Sequence, residues 1–323
     1  MMHKKIIPFS SFKKRRFWLK KLGGLDAPQV KNLEWLELLV DDGRNTLSIE
    51  GEFNNKWDLK EIFSNPKYQK ESMRTILNFF DAALFAYEYA YIQMKDQKFE
   101  ITVNLIKQIH YKMFHNVPRV FTQAPGTWAA GERKINKSKI VLVAPNRIES
   151  VLRDLLWYVH NLKAEPTRKA AIFHAFFEYI HPFPDGNGRV GRILLNFILI
   201  TCGLPPIAIK GIKEADRKKY YHALEESDKE VSLIIKRKKS FRDLDFLAFA
   251  ALENLLEKPL AIAMDIVICR KFELEIKKEL IKVRKLARAL GRNENSFSVA
   301  CAQKKYISVV RGNVSLSHRD LIV

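Results

Sequence analysis

The chain has 323 residues, a length that predicts one large domain with extensions or two domains. Hydrophobic residues make up 47% of the sequence and charged residues 28%, proportions that exclude the disordered, collagen-like and coiled-coil classes. The 56 Lys and Arg residues exceed the 36 Asp and Glu residues by 20, and such a positive surface attracts polyanions. We therefore expect a folded soluble protein with an affinity for anionic partners.

The cysteines and the apolar stretches bear on the cellular compartment. The three cysteines are far apart in the sequence, which excludes a disulfide framework and a zinc site built from cysteine pairs. The basic N-terminus lacks the uninterrupted apolar core of a secretory signal, and the longest uncharged stretch, 193–209, is broken by glycine and proline. These features predict a cytoplasmic protein in a reducing compartment, without a membrane span.

In chain order, the sequence begins with a basic stretch in which lysines and arginines alternate with large apolar residues. We predict a solvated or disordered arm over residues 1–30, with binding to an anionic membrane or to nucleic acid as the alternative. An N-terminal helical region is expected next, over residues 31–95.

The middle of the chain carries apolar residues at helical spacing. The predicted helices cover residues 71–97, 103–114, 148–162, 166–180, 187–202 and 214–224. Between residues 118 and 145, prolines and glycines precede a β-branched alternation at 139–143, which predicts a short hairpin or flap. The predicted core, 96–258, is therefore helical with a small β-hairpin flap.

The last part of the chain, residues 259–323, is predicted to be an appendage to the core. A basic helix is predicted over 271–290, followed by a strand-like tail over 306–310. The fold class predicted for the whole chain is all-α, with a basic N-terminal arm and a C-terminal helical extension.

The most informative segment is a loop between two predicted helices, with the sequence HPFPDGNGRVGR at positions 181–192. It places Asp185, Gly186 and Gly188 at the N-terminus of the second helix. There, unpaired backbone N–H groups and the positive end of the helix dipole favour an anion. The glycines allow the backbone to approach that anion closely.

The side chains of this loop fit a phosphate ligand. Arg189 and Arg192 lie three apart, so both project from one face of the helix and suit a polyphosphate. Asp185 offers a carboxylate of the kind through which Mg²⁺ commonly binds together with substrate phosphates. His181 has an ordinary pKa of about 6.5 and suits the role of general base.

Each of these residues also has a purely structural interpretation. A single histidine is commonly structural, Asp185 can cap the helix, and the glycines can simply turn the chain. With Phe183 as an apolar anchor, however, one loop brings together a base, a metal ligand and an anion cradle. This combination favours the catalytic interpretation.

The loop resembles the signature of the Fic family, HPFx(D/E)GN(G/K)RxxR, at every specified position. His174, Phe177 and Ile180 precede it as they do in Fic proteins, and residues 217–224 resemble the downstream family element RxxYYxAL. The resemblance extends over roughly residues 36–256.

This resemblance implies a Fic-type helical core that transfers AMP from Mg-ATP to a Ser, Thr or Tyr hydroxyl of a target protein, or of the chain itself. It implies that His181 is the base and that Asp185 holds Mg²⁺.

The resemblance also assigns the nucleotide contacts. It implies that Asn187 and the amides of Gly186 and Gly188 receive the α-phosphate. Arg189 would then face the β-phosphate, and Arg192 the γ-phosphate.

A second motif precedes the core. In the sequence NTLSIEG, Thr46 and Glu50 lie four apart and are followed by Gly51, a pattern that alone indicates only a helical turn with a stop. Beside the Fic signature it resembles the inhibitory motif (S/T)xxxE(G/N). The resemblance implies that Glu50 pairs with Arg192 in place of the γ-phosphate, and that the resting enzyme has low transferase activity. Removal of AMP from a target is left open as a reverse activity.

The sequence leaves four features open. Family flaps carry a G-x-aromatic-R pattern, whereas Ala129 follows Trp128 here, so that Arg133 or Lys134 is the alternative source of positive charge. Tyr221 is a candidate contact for adenine, with a core position as the alternative. Donor nucleotides other than ATP and a homo-oligomeric state are also left open.

Two functions from other classes compete with a magnesium-dependent protein adenylyltransferase. One is a catalytically silent nucleotide-binding protein, against which the intact His181 and Asp185 argue. The other is a nucleic-acid-binding regulator that uses the basic terminal segments, and binding that weakens steeply with salt would identify it.

Overall fold

The helices predicted from apolar spacing form the body of the protein. A computed structural model describes residues 7–29, 31–51, 71–117, 123–134 and 140–322. In this part of the chain the α-helices are α1 (Phe9–Lys21), α2 (Leu33–Ile49), α3 (Glu71–Lys95), α4 (Val103–Phe114), α5 (Ile148–Asn161), α6 (Pro166–Ile180), α7 (Asn187–Thr201), α8 (Glu214–Ile235), α9 (Ala250–Glu275), α10 (Val283–Ala289), α11 (Glu294–Ala302) and α12 (Arg319–Ile322). The strands β1 (Ile281–Lys282), β2 (Val309–Arg311) and β3 (Val314–Ser317) form one antiparallel sheet in the order β1-β3-β2. The all-α prediction is confirmed.

Helix α7 lies at the centre of the core because it is apolar on almost every face. Residues 189–200 are all buried, and α7 packs against α3 and α6. A helix of this kind has to be enclosed by other helices. The surrounding helices therefore fix the position of the α7 N-terminus, which is where the predicted anion-binding loop lies. In the described residues, no helix is both long enough and apolar enough to cross a membrane.

The predicted flap is described at residues 123–134 and 140–144, and these residues contain no strand. Its two sides are joined by a side chain instead, since Arg133 Nη2 donates a hydrogen bond of 2.6 Å to the carbonyl of Val143. The Ala129 N–H donates to the carbonyl of Pro182 at 2.9 Å and so attaches the segment to the loop at 181–186. The predicted hairpin residues 135–139 lie outside the described residues.

The predicted basic arm is, from residue 7 onward, an integral part of the fold. Helix α1 packs along α9, where Arg15 is fully buried and donates from Nε to Asp265 at 2.8 Å. Trp18 is buried as well and meets Phe272 edge to face, with ring centroids 5.7 Å apart. These contacts place a cation and a large apolar side chain of the segment inside the protein. The interpretation as a solvated arm is therefore wrong for α1. Residues 1–6 lie outside the described residues.

The helix predicted over residues 271–290 is interrupted in the structure. Helix α9 ends at Glu275, and Lys277 takes a left-handed conformation with φ +56° that turns the chain away from the helix axis. The chain then forms β1 and a new helix, α10. Helix α9 also runs through the predicted domain boundary between residues 258 and 259, so the C-terminal extension begins after Glu275.

Candidate active site

The loop between α6 and α7 takes its shape from two left-handed residues. His181 ends α6 with φ +50°, and Gly186 precedes α7 with φ +77°. A Cβ atom at Gly186 would lie 2.3 Å from the Phe114 ring, so glycine is required both for its backbone conformation and for lack of space. The two turns bring the predicted residues of the loop together at the N-terminus of α7.

Asn187 closes the loop with both ends of its side chain. Its Oδ1 accepts from the Phe183 N–H and its Nδ2 donates to the Phe183 carbonyl, each at 2.8 Å. Asn187 is 1% exposed, and its side chain holds the loop closed. The expected contact of Asn187 with the α-phosphate stays a prediction, and the backbone amides at the start of α7 are further candidate anion donors.

Asp185 is positioned through a histidine that sequence reasoning missed. His110 Nδ1 accepts from the Gly126 N–H at 2.8 Å, so its Nε2 carries the proton and donates to the Asp185 carbonyl at 3.2 Å. The His110 ring also stacks on Phe183 with centroids 3.8 Å apart. Phe183, which is predicted to be an apolar anchor, therefore also contacts a polar residue of α4, His110.

His181 is held in the tautomer that a general base needs. Its Nδ1 lies 3.2 Å from the carbonyl oxygen of Glu178, which can only accept, so Nδ1 carries the proton and Nε2 presents a lone pair. Burial lowers the pKa of His181 below its ordinary value, although the hydrogen bond to the Glu178 carbonyl acts in the opposite direction. The ring is consequently neutral, and able to accept a proton, at neutral pH.

Asp185 and Arg189 form an ion pair at the mouth of the loop. Arg189 Nη2 lies 3.0 Å from Asp185 Oδ2, and the guanidinium also lies over the Phe114 ring at 4.7 Å. The Asp185 side chain is 41% exposed, whereas that of Arg189 is 2% exposed. Within the described residues, no group of three or more His, Cys, Asp or Glu residues could hold a metal by itself. A lone exposed carboxylate fits Mg²⁺ that takes its other ligands from phosphates and water.

Arg192 is the second buried arginine of α7, and its guanidinium contacts α2. Its Nη2 donates to Glu50 Oε1 at 2.5 Å and its Nε donates to Thr46 Oγ1 at 3.2 Å. Burial disfavours the charged guanidinium, but the Glu50 carboxylate outweighs burial and raises the pKa of Arg192. The structure thus brings together the two segments that the sequence motifs singled out.

The Glu50 carboxylate occupies space directly above the start of α7. A Cβ atom at Gly188 would lie 2.5 Å from Glu50 Oε1 and 3.0 Å from Arg192 Nη1. Glu50 is exposed as a residue, but its side chain is 26% exposed because the carboxylate points inward. Burial disfavours its charge, yet the Arg192 guanidinium prevails and lowers the pKa of Glu50. An ionised carboxylate therefore lies in the place predicted for an anionic ligand.

Thr46 is held by a polar network beneath α2 that sequence reasoning missed. The Thr46 hydroxyl donates to Asp42 Oδ1 at 3.2 Å, and Tyr87 and Asn196 donate to Asp42 Oδ2 at 2.7 and 3.2 Å. Burial raises the pKa of Asp42 to about 7. The periodicity of α2 marks Asp42 only as a polar residue, so no sequence signal identified this network.

The two tyrosines of α8 have different roles. Tyr220 is buried, and its hydroxyl lies 2.7 Å from His174 Nε2 and 3.5 Å from Arg192 Nη1. Tyr221 is 46% exposed, and its hydroxyl donates to the carbonyl of Ile49 at 3.5 Å. Tyr221 therefore lies beside the end of α2 with an exposed ring, and the role of core aromatic falls to Tyr220.

The described part of the flap places a positive charge near His181. Arg133 Nη2 lies 3.3 Å from the carbonyl of Ile180, the residue before His181, and its charge contributes to lowering the pKa of His181. Trp128 packs on Phe183 and donates from Nε1 to Glu149 at 3.0 Å.

Known proteins are similar to this chain over the segment that contains the loop at 181–192. Residues 100–199 match the model of the Fic/DOC family. A probable protein adenylyltransferase from Aquifex aeolicus is 39% identical over 104 residues, which are 32% of this chain and 30% of that protein. The protein adenylyltransferase Fic of Drosophila virilis is 31% identical over 134 residues, which are 40% of this chain and 25% of that protein. The matches thus span less than a third of these curated relatives.

Solved structures share the fold over a longer part of the chain. A Fic domain-containing signalling protein from Bacteroides thetaiotaomicron superposes with a TM-score of 0.67 at 19% identity, covering 83% of this chain and 99% of that one. A Fic family protein from Desulfovibrio desulfuricans gives a TM-score of 0.54 at 17% identity, covering 93% and 88%. The Fic fold expected from the signature is confirmed.

Proposed function

Because residues 100–199 form a Fic/DOC family domain, we propose that the chain is a protein adenylyltransferase. The observation that carries the proposal is the position of a neutral histidine beside an anion site. His181 presents Nε2 at the loop, while Arg189 and Arg192 project from the first turns of the adjoining α7. Such a site can bind a polyphosphate and accept a proton from an incoming hydroxyl.

The reaction assigned to the site is a displacement at the α-phosphorus of ATP. A hydroxyl oxygen of the target forms a bond to that phosphorus, and the bond from phosphorus to the oxygen that bridges to the β-phosphate breaks. The hydroxyl proton passes to His181 Nε2, and pyrophosphate leaves. The amides at the start of α7 stabilise the charge on the transferring group. Mg²⁺ held by Asp185 and the phosphates would neutralise charge on the leaving pyrophosphate.

Glu50 provides a brake in this proposal. Its carboxylate holds Arg192 and lies against Gly188, where the phosphates of ATP would bind. A carboxylate–guanidinium pair with the guanidinium 2% exposed is strong and geometrically specific. The resting protein therefore transfers AMP slowly, and removal of the Glu50 side chain opens the site.

The test uses ATP labelled on the α-phosphate, with Mg²⁺, and compares wild type, Glu50→Gly and Glu50→Gly/His181→Ala. Self-modification is the readout, with a lysate as a second source of targets. We expect Glu50→Gly to incorporate label at least about tenfold faster than wild type, and the double variant to incorporate none. A parallel reaction with γ-labelled ATP should leave the protein unlabelled, because pyrophosphate carries that label away.

The other outcomes decide against parts of the proposal. Label transferred from the γ-phosphate would make the protein a phosphotransferase. ATP binding by Glu50→Gly without transfer would identify a silent nucleotide-binding protein. Equal labelling of wild type and Glu50→Gly would retain the enzyme and exclude the brake.

A further inference from the structure

The residues after α9 form a small unit at the C-terminus, which joins the main core through Ile307, Val309 and Leu321. Helices α10 and α11 pack together over a cluster of buried residues that is separate from the main core. The cluster consists of Val283, Leu286, Ala287, Phe297, Cys301 and Ile322. The order of elements is strand, helix, helix and a two-stranded hairpin, with β1 pairing on β3.

The connection between α10 and α11 has the length and the glycine of a helix-turn-helix turn. Four residues, 290–293, separate the helices, and Gly291 takes φ +64° in the middle of the turn. Asn293 caps α11 by accepting from the Ser296 N–H at 3.0 Å. A short turn that contains glycine is typical of helix-turn-helix units, in which the second helix enters the major groove of DNA.

Helix α11 presents a polar face to solvent. Phe297 and Cys301 are buried against α10, at 3% and 2% exposure. The exposed positions of α11 and the residue that follows it are Asn295, Ser296, Val299, Ala302 and Gln303. Asn and Gln can hydrogen-bond adenine in pairs, and the Val and Ala methyl groups can contact thymine. A membrane-binding helix would instead expose an apolar face.

The unit is also strongly basic. Residues 276–322 contain eleven Lys and Arg against three Asp and Glu, a net charge of +8. Ten of the eleven are exposed, the exception being Lys304. The hairpin turns at Gly312 and Asn313, which are both exposed. A basic unit that carries a helix-turn-helix turn and a hairpin with an exposed tip has features of a duplex-binding module.

We propose that residues 281–322 bind double-stranded DNA, with α11 in the major groove and the β2–β3 hairpin against the backbone. This activity is independent of the adenylyl transfer proposed above. Arg15 of α1 is not available to nucleic acid, because it is buried against Asp265.

The test selects binding sequences from a pool of 30-base-pair duplexes with a random centre, using the full chain. The affinity of the selected duplex is then measured by fluorescence anisotropy over a series of salt concentrations. We expect the selected duplex to bind at least about tenfold more tightly than a scrambled duplex. Single-stranded RNA of the same length should bind more weakly than the selected duplex.

Ser296→Glu separates DNA contact from folding. An acidic side chain in the first turn of α11 favours the helix through its dipole, yet it repels DNA phosphates. We expect an unchanged or raised melting temperature and a loss of affinity of at least about tenfold. Asn295→Ala/Gln303→Ala should remove the preference for the selected duplex over the scrambled one.

A pair of basic variants provides the matched comparison. Lys285→Ala/Lys305→Ala removes two exposed charges from the unit, whereas Lys236→Ala/Lys238→Ala removes two exposed charges elsewhere. The first pair should lower the slope of log affinity against log salt by about 0.9 per lost phosphate contact, and the second should not. Equal effects of both pairs, retention of binding by Ser296→Glu, or tighter binding of RNA than of duplex would overturn the proposal.

Discussion

Arg192 Nη2 donates to Glu50 Oε1 across 2.5 Å, although the two residues are 142 positions apart in the sequence. The same guanidinium donates from Nε to Thr46 Oγ1, so the end of α2 holds the arginine by a carboxylate and by a hydroxyl. The hydroxyl is itself oriented, because it donates its proton to Asp42. The contact is thus an assembled clamp rather than a single ion pair.

The clamp predicts a graded response to substitution. Thr46→Val removes the hydroxyl but keeps Glu50, so we expect AMP incorporation to rise a few-fold, well below the rise in Glu50→Gly, because the Glu50 carboxylate still holds Arg192 by the shorter, charge-assisted hydrogen bond. Initial rates of α-label incorporation measure the effect. Ser48→Ala is the control, because the Ser48 hydroxyl donates within its own helix, to the carbonyl of Arg44. Wild-type rates in Thr46→Val would show that the carboxylate acts alone.

The loop was predictable from the sequence because its chemistry is local. His181, Asp185 and the two arginines lie within twelve positions, and a helix start between glycines fixes their geometry. The same reasoning did not show that Asn187 closes the loop through Phe183. Periodicity does not show whether a polar side chain turns inward to its own loop.

The residues that sequence reasoning missed act through distant partners. Asp42 depends on Tyr87 and Asn196, and His110 connects Gly126 to Asp185. In the sequence, Asp42 and His110 resemble ordinary polar positions of amphipathic helices. Only the packing of the helices shows which partners they contact. The same holds for α1, whose basic pattern suggested an arm because Asp265, the partner of Arg15, lies 250 positions away.

The acid limb of the pH profile should lie lower than for an ordinary histidine. His181 must be neutral to accept a proton, and burial lowers its pKa below 6.5. Activity is therefore retained as pH falls through 6.5 and is lost only below it. The measurement is kcat/KM of Glu50→Gly for ATP against pH, which reports the free enzyme.

Glu50 itself raises the pKa of His181, so its removal strengthens this expectation. Melting temperatures over the same pH range serve as the control for loss of the fold. An acid limb centred at or above 6.5 would show that His181 is not the titrating base, or that burial does not dominate its environment.

Gly186 in the loop and Gly24 elsewhere in the chain distinguish the cost of a left-handed backbone from the cost of lack of space. Gly186 and Gly24 both have φ +77°, but a Cβ atom at Gly24 meets nothing within 4 Å, whereas one at Gly186 meets the Phe114 ring. Gly24→Ala should lower the free energy of unfolding by about 1–2 kcal/mol, the cost of the left-handed conformation. Gly186→Ala should lose about 1–3 kcal/mol more through overpacking.

Urea unfolding of both variants measures the difference. In Gly186→Ala/Phe114→Leu the ring is removed, so part of the additional loss should be recovered. Equal losses in the two single variants would show that Phe114 moves aside freely and that the loop is not tightly packed at this point.

The buried ion pairs of Asp265 connect α1 and the C-terminal unit to α9. Asp265 accepts from Arg15 Nε at 2.8 Å, from Lys304 Nζ at 2.9 Å and from the Ser308 N–H at 3.3 Å. In Asp265→Ala, the buried cations of Arg15 and Lys304 lose their carboxylate partner. We expect this loss to lower the free energy of unfolding by about 3–5 kcal/mol. The exposed pair of Arg16 and Glu165 is the control, and Glu165→Ala should cost at most about 1 kcal/mol.

The arrangement also predicts where the structure loosens first. In Asp265→Ala, amide hydrogen exchange should accelerate more in α1 and in residues 304–309 than in α7. The reason is that the hydrogen bonds of Asp265 go to Arg15, Lys304 and Ser308, which lie in the first two segments. Hydrogen exchange resolved by peptide measures this order. Uniform acceleration across the chain would show that Asp265 supports the whole fold rather than the attachment of α1 and the C-terminal unit to α9.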